Sequence, residues 1–326
     1  SVWNYHFCIG VFVELTLITY WLSYLKRNSQ GTTTKFIKLG QVTGMLVPFP
    51  PLEEQKRIVA KIEEILPYIE QYDKAYTKLE TFNKKFPEDM KKSILQFAMQ
   101  GKLVEQRPEE GTAKELLEQI KVEKEQLIRD KKIKKEKPLP KITKEEISFE
   151  IPESWEWVRL SEIVYNNGQY KPDDKFCYID IGSIDNRNQR LSVENTVVEA
   201  KDAPSRARKI VKNGDIIYST VRPYLHNMCI IDRDFPYIPI ASTGFAVLSC
   251  LSGIYNKFLF YYMQSPEFDK YANSTENAKG VAYPAINDTR LYRAIIPVPP
   301  LEEQKRIISK LEQMLSYCDQ LIKENF

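Results

Sequence analysis

Histidine is nearly missing from this sequence: His6 and His226 are the two present among 326 residues, so acid-base or metal chemistry built on imidazole has almost nothing to use. No Walker glycine-rich loop, Gly-x-Ser-x-Gly or His-Glu-x-x-His occurs, nor the Asn/Asp-Pro-Pro-Tyr/Phe tetrapeptide with which amino-methyltransferases hold a target base. The five cysteines, Cys8, Cys177, Cys229, Cys250 and Cys318, are odd in number and never spaced Cys-x-x-Cys. That pattern fits neither a disulfide framework nor a zinc site, and it predicts a reduced, cytoplasmic protein whose cysteines pack as small apolar residues.

Charge of one sign is lacking too. The net charge is +3, and Lys plus Arg against Asp plus Glu number 4 and 1 over residues 1–51, 22 and 20 over 52–149, 17 and 18 over 150–299, and 4 and 5 over 300–326. No segment would be held on a polyanion by bulk charge, so nucleic-acid binding must rest on locally clustered cations and base contacts. One long apolar run exists, Phe7 to Leu25, followed by Lys26 and Arg27. It is just long enough to span a membrane, but Glu14 near its middle costs roughly 2–3 kcal/mol there, and no membrane association is expected.

What is present is a repeat. Pro-Leu-Glu-Glu-Gln-Lys-Arg-Ile occurs from Pro51 to Ile58 and again from Pro300 to Ile307, an ungapped offset of 249 residues, and matches extend outward through Pro50 with Pro299, Val47-Pro48 with Ile296-Pro297, Ile37 with Ile286 and Gly31 with Gly280. An identical octapeptide is not compositional noise. Each copy opens a helix, because the prolines fix an extended approach and the glutamates sit in the first turn. The apolar positions then run Ile58, Ile62, Ile65, Ile69, Tyr72 and Ile307, Leu311, Met314, Cys318, Leu321, both spaced four, three, four, three. That heptad seam on a Lys/Glu-rich helix requires a partner helix of similar character, and the other copy is the first candidate. Tyr68, Tyr72 and Tyr76 belong to the same helix–helix face.

An apolar-Pro-x-Pro-Pro segment, then Leu-Glu-Glu-Gln-Lys-Arg-Ile and a long helix, repeated about one domain apart, resembles the DNA-specificity (S) subunit of type I restriction-modification systems. Ile151-Pro152-Glu153-Ser154-Trp155-Glu156-Trp157-Val158-Arg159-Leu160 is similar to the opening of that family's target-recognition domain, Asn213-Gly214-Asp215-Ile216-Ile217 to its central Gly-Asp strand, and Gln30 to Ile37 to its exit. The resemblance implies that Cys8 to Val13 is a buried strand and Leu15 to Leu25 a helix. The family has two complete recognition domains, whereas about fifty residues precede the first junction here. The chain is therefore expected to be a partial subunit, a truncated product or a processed form. Its expected fold class is α+β, a β-rich target-recognition domain plus long antiparallel coiled-coil helices: residues 1–51 as the remnant of a first recognition domain, 52–149 as a central helical spacer, 150–299 as a complete recognition domain, and 300–326 as a C-terminal helix.

Along the chain, the first helical stretch runs to Phe86 with Pro67 expected to kink it, a separate segment covers Met90 to Met99 and ends at Gly101, and a third opens at Thr112 with Glu115 completing a capping box. Residues 129–141 hold seven basic and two acidic side chains, a solvated linker that also suits phosphate contact. Short apolar runs then mark strands: Phe176 to Ile181, Asn195 to Glu199, Asp215 to Thr220, Met228 to Ile231, Gly244 to Cys250 and Ala294 to Val298, with one helix near Asn256 to Gln264.

Base reading in the major groove needs Arg or Lys for guanine, Asn or Gln for adenine and apolar groups for the thymine methyl. The candidates are Gln169, Tyr170 and Lys171 after a glycine turn; Arg187, Asn188, Gln189 and Arg190 at a hairpin tip; Arg206, Arg208 and Lys209 before the Asn213-Gly214 turn; and Ser219, Thr220, Arg222, Tyr224, His226 and Asn227 leaving the central strand. The resemblance adds Ser242, Thr243, Lys279, Gly280 and Tyr283. Each is otherwise an ordinary loop or packing residue. A looser pattern, Asp173 followed by Glu199 and Lys201, has the residue types of magnesium-dependent phosphodiester cleavage.

The expected function is non-catalytic: reading one half of a bipartite double-stranded DNA target and docking methyltransferase (M) subunits, and through them the restriction/translocase (R) subunits. This chain would bind no cofactor; the resemblance places S-adenosylmethionine, ATP and Mg2+ on the partners. A helix advances about 1.5 Å per residue, so thirty residues hold two reading heads roughly 45 Å, or a dozen base pairs, apart. A homodimer would present two identical heads. The alternatives are a coiled-coil scaffold without DNA affinity, a silent specificity cassette, and the metal-dependent nuclease.

Overall fold

The acidic first turns and preceding prolines of the two octapeptides start helices as expected. In the computed structural model, which describes residues 27, 38–44, 46, 48–135, 138–192, 194, 196–274 and 285–324, the principal helices are α1 Leu52–Met99, α2 Ala113–Arg129, α3 Asn256–Tyr262, α4 Pro266–Asn273, α5 Asp288–Arg293 and α6 Leu301–Glu324. The strands are β1 Glu156–Arg159, β2 Val164–Tyr165, β3 Phe176–Ile179, β4 Ile184–Asp185, β5 Arg190–Leu191, β6 Thr196–Val198, β7 Ala207–Ile210, β8 Ile216–Ser219, β9 Met228–Ile230, β10 Ile238–Ser242, β11 Phe245–Cys250 and β12 Ile295–Val298. The fold class is α+β, a β-sheet domain with long helices. The chain divides into two compact units, Ser1–Lys85 and Phe86–Phe326. The strand and helix expected at Cys8 to Val13 and Leu15 to Leu25 lie outside the described residues.

One correction concerns α1. The pattern predicts a separate Met90 to Met99 segment, yet a single helix Leu52–Met99 runs through both Pro67 and Pro87. Each proline removes one backbone bond among many, and i,i+3 or i,i+4 pairs, Lys61–Glu64 before Pro67 and Lys84–Glu80 before Pro87, reinforce the neighbouring turns. The helix ends as predicted at Gly101: its N–H and that of Lys102 reach Ala98 O at 3.2 Å and Phe97 O at 3.0 Å, a Schellman closure with Gly101 at φ 70°. The expected capping box is present, Glu115 N–H donating to Thr112 Oγ1 and Thr112 N–H to Glu115 Oε2.

In the second unit two four-stranded sheets, ordered β6-β3-β10-β7 and β2-β11-β8-β9, share a core. Ile179 and Ala241 of the first join Ile217, Cys229, Phe245 and Val247 of the second in one cluster. The opposite face of β8 and β11, through Ile216, Tyr218, Ala246 and Leu248, enters a larger cluster with Ile94, Leu95, Ala98 and Met99 of α1, Phe258 and Leu259 of α3, and Ile307, Ile308 and Leu311 of α6. Being buried on both faces is why this strand reads as a continuous apolar run. Strand β1 pairs antiparallel with β12, Glu156 opposite Val298 and Arg159 opposite Ile295, so the start and the exit of the domain lie side by side.

Candidate nucleic-acid interface

Pairing of β1 with β12 brings Trp155 against the second octapeptide, and the joint there is buried and polar. Glu303 is 1% exposed, and its Oε1 accepts from Trp155 Nε1 at 3.0 Å and Gln106 Nε2 at 2.7 Å. Gln304, fully buried, donates to Pro299 O and Gly253 O and accepts from the Tyr255 N–H at 2.8 Å. Arg306 forks onto Glu110 through Nε and a terminal nitrogen, both at 2.7 Å. Burial raises the Glu303 carboxyl pKa while the Trp155 and Gln106 bonds pull it back; the Arg306 bond lowers that of Glu110.

The first octapeptide folds alike but is satisfied differently. Gln55, 1% exposed, donates to Pro50 O at 2.7 Å as Gln304 does to Pro299 O, while its Oε1 has no partner among the described residues. Glu54 and Arg57, the counterparts of Glu303 and Arg306, are exposed. Along α1, Ile58 and Ile62 are half-buried, and Ile65, Ile69, Tyr68, Tyr72 and Tyr76 are exposed, with Tyr72 and Tyr76 stacked on each other. On α6, Ile307, Leu311 and Cys318 are buried with the second unit's own residues, including Ile94, Leu95, Ala98 and Met99 of α1, with Met314 packed against that cluster and Leu321 exposed. Contacts run antiparallel, Lys91 meeting Asp319 at one end and Glu110 meeting Arg306 at the other.

The candidate readers fall into two sets. In the first, Gln169 bridges Lys209, the Tyr170 N–H donates to Arg208 O, and the Thr243 N–H donates to Arg206 O. Lys171 and Arg206 are exposed; Tyr170 is hydrogen-bonded to Asp173, and Lys209 is paired with Asp288 at 3.2 Å. In the second, the hairpin tip Arg187 to Arg190 meets the loop Arg222 to His226, because Asn186 Nδ2 donates to Leu225 O at 3.2 Å. Asp185 accepts from the Arg187 N–H and from Asn188, which depress its carboxyl pKa. His226 Nε2 lies 2.7 Å from Asp269 Oδ1, and Asn273 Oδ1 accepts from the Tyr224 N–H at 3.0 Å.

Three candidates require correction. Ser219, Asn227 and Ser242 are buried: the Ser219 hydroxyl donates to Val221 O, the Ser219 N–H to Asn227 O, and the Ser242 hydroxyl accepts from the Gly244 N–H. These bonds, made by the Ser219 and Ser242 hydroxyls and the Asn227 main-chain carbonyl, close the strand ends. Thr220 likewise donates to Gly244 O. Lys279, Gly280 and Tyr283 lie outside the described residues. Asn186, Asp269 and Asn273, which join the second set together, carry no sequence signal because their partners are distant backbone or side-chain atoms.

Beneath the loops, buried Asp215 accepts from Ser249 Oγ at 2.5 Å, Asn167 Nδ2 and the Lys212 N–H; desolvation nevertheless raises its pKa. Among the described residues no group of three His, Cys, Asp or Glu side chains could hold a metal ion. Glu199 pairs with Lys175 and Asp173 with the Tyr170 phenol. Among the described residues no helix is long and apolar enough to cross a membrane.

The β-domain thus has its start and exit paired side by side and bonded to α6, with polar loops between its strands. Residues 152–325 match the family described as the type I restriction modification DNA specificity domain, and the chain belongs to that family. It is 31% identical over 322 residues to the type I restriction enzyme EcoAI specificity subunit of Escherichia coli, covering 84% of this chain and 54% of that one. To the EcoEI specificity subunit of the same organism it is 29% identical over 242 residues, covering 71% and 41%. Among solved structures it is similar to the HsdS subunit from Thermoanaerobacter tengcongensis, at 34% identity and a TM-score of 0.48, over 53% of this chain and 45% of that one. The chain thus spans about half the length of the curated relatives it matches. The family is that of the specificity subunit, the non-catalytic member of such systems.

Proposed function

We propose that this chain reads one half of a bipartite double-stranded DNA target and docks M subunits, and through them R subunits, of a type I restriction-modification complex in the cytoplasm. In this reading residues 1–51 are the tail of a first recognition domain, 52–149 the spacer, 150–299 the reading domain and 300–326 its helical brace. S-adenosylmethionine, ATP and Mg2+ act on the partner subunits, and this chain binds none of them.

The joint around Glu303, Gln304 and Arg306 carries the proposal. Reading an interrupted sequence requires each head to stand at a fixed place on a helical ruler, and buried hydrogen bonds from Trp155, Tyr255 and Gln106 to α6 supply that fixity. A two-fold pair of chains is a second arrangement, favoured by the exposed Ile65, Ile69 and Tyr72 stripe, which a second copy would cover.

The test is selection from a randomised duplex-DNA pool by the full chain with M subunits at two salt concentrations. Enrichment of a short motif at a fixed gap is expected, palindromic if two identical chains assemble. Failure to enrich any motif would leave the scaffold or silent-cassette reading, for which protein binding insensitive to salt is the sign.

A further inference from the structure

Among the described residues, four non-glycine positions have positive φ. Lys131 merely ends α2; the others, Gln189, Arg222 and His226, at 48°, 51° and 47°, all lie in the second set of candidate readers. A turn that only had to reverse the chain would take glycine there without steric cost. Large polar side chains stand there instead, and the surroundings over-determine their backbone. Asn186 bonds one loop to the other at Leu225 O, while α4 holds the second loop through Asp269 to His226 and Asn273 to the Tyr224 N–H. Asn273 is itself tied to Asp269 O at 2.9 Å.

Resting on the DNA-reading function proposed above, we infer that hairpin tip 186–190 and loop 222–226 form one preformed edge that enters the major groove. Asn186, Asp269 and Asn273 are the positioning residues behind it. The chemistry of the edge suits base pairs. Arg187 and Arg190 are exposed, with no side-chain hydrogen bond to either guanidinium among the described residues, and match guanine; Tyr224 and Leu225, 49% and 37% exposed, match the thymine methyl. Ordering the loops before contact matters because every loop ordered on binding subtracts from affinity and blurs discrimination. The first set is used otherwise, since Tyr170 and Lys209 are engaged by Asp173 and Asp288 within the domain.

The experiment applies the same duplex selection, full chain with M subunits, to Asn186→Ala, Asn273→Ala, Asn273→Asp and, on the other set, Asp173→Ala. Asn186→Ala and Asn273→Ala are expected to lose on the order of tenfold discrimination at particular base positions, with non-specific affinity and thermal midpoint close to the parent. Asn273→Asp keeps the acceptor for the Tyr224 N–H but loses the donor to Asp269 O, and is expected to retain more discrimination than Asn273→Ala; Asp173→Ala leaves the motif unchanged. If the parent enriches a motif that both alanine variants reproduce at full discrimination, the preformed edge is overturned and DNA reading stands. If Asp173→Ala alone erases the motif, the other set is the reader. A parent chain that enriches nothing overturns DNA reading and the edge together.

Discussion

Single side chains tie the β-domain to α6, and Glu303 is the plainest case. Both of its bonds fall on Oε1, so Glu303→Gln preserves the acceptor while removing a buried charge. Glu303→Ala strands the buried Trp155 indole N–H and is expected to cost about 1–3 kcal/mol, read from urea midpoints. The pH dependence has a definite sign. Burial raises the folded-state carboxyls of Glu303 and Asp215, so their contribution is largest at pH below the ordinary carboxyl range, about 4, and declines as pH rises through the raised folded values. Glu110 and Glu146, lowered by Arg306 and Arg159, act oppositely: their contribution is present above that range and fades as pH falls. Denaturation across pH 4 to 7 should therefore give a flatter curve on the alkaline side for Glu303→Gln than for the parent.

Helix ends and strand centres account for what could and could not be read from sequence. Gly101 is required twice, for its positive φ and because a Cβ there would stand 2.4 Å from Pro152 Cγ. Gly101→Ala is expected to cost about 1–2 kcal/mol from backbone alone and more from the collision, whereas Thr112→Ala should cost about 1 kcal/mol by removing an N-cap; chemical denaturation separates the two. These ends were legible because capping chemistry is local. The six strands inferred from apolar runs were found with bounds shifted by a residue or two. By contrast β10 carries Pro239 yet pairs on both sides, with β3 and β7, and β7 reads Ala-Arg-Lys-Ile, so a proline and two cations concealed them. Helices α4 and α5 are short, and their signals are the N-caps Ser265 and Asn287. The candidate loops were visible as polar turns, but which ones adjoin depends on contacts 39 residues apart, such as Asn186 with Leu225, which no local pattern carries.

Over the whole molecule the proposed division of labour makes the helix a ruler. Inserting one heptad after Tyr72 preserves the seam's phase and lengthens α1 by about 10 Å, so the gap between half-sites selected by the complex should grow by about three base pairs; an unchanged gap would show that α1 does not set the spacing. The joint to α6 has a different kind of consequence. Gln304 addresses only main-chain atoms, Gly253 O, Pro299 O and the Tyr255 N–H, and Glu303 asks the domain for a single indole. These two residues ask little of side-chain identity in the domain and touch neither hairpin tip 186–190 nor loop 222–226. On the reading proposed above, substitutions in loops 186–190 and 222–226 would therefore leave the bonds that mount the domain in place.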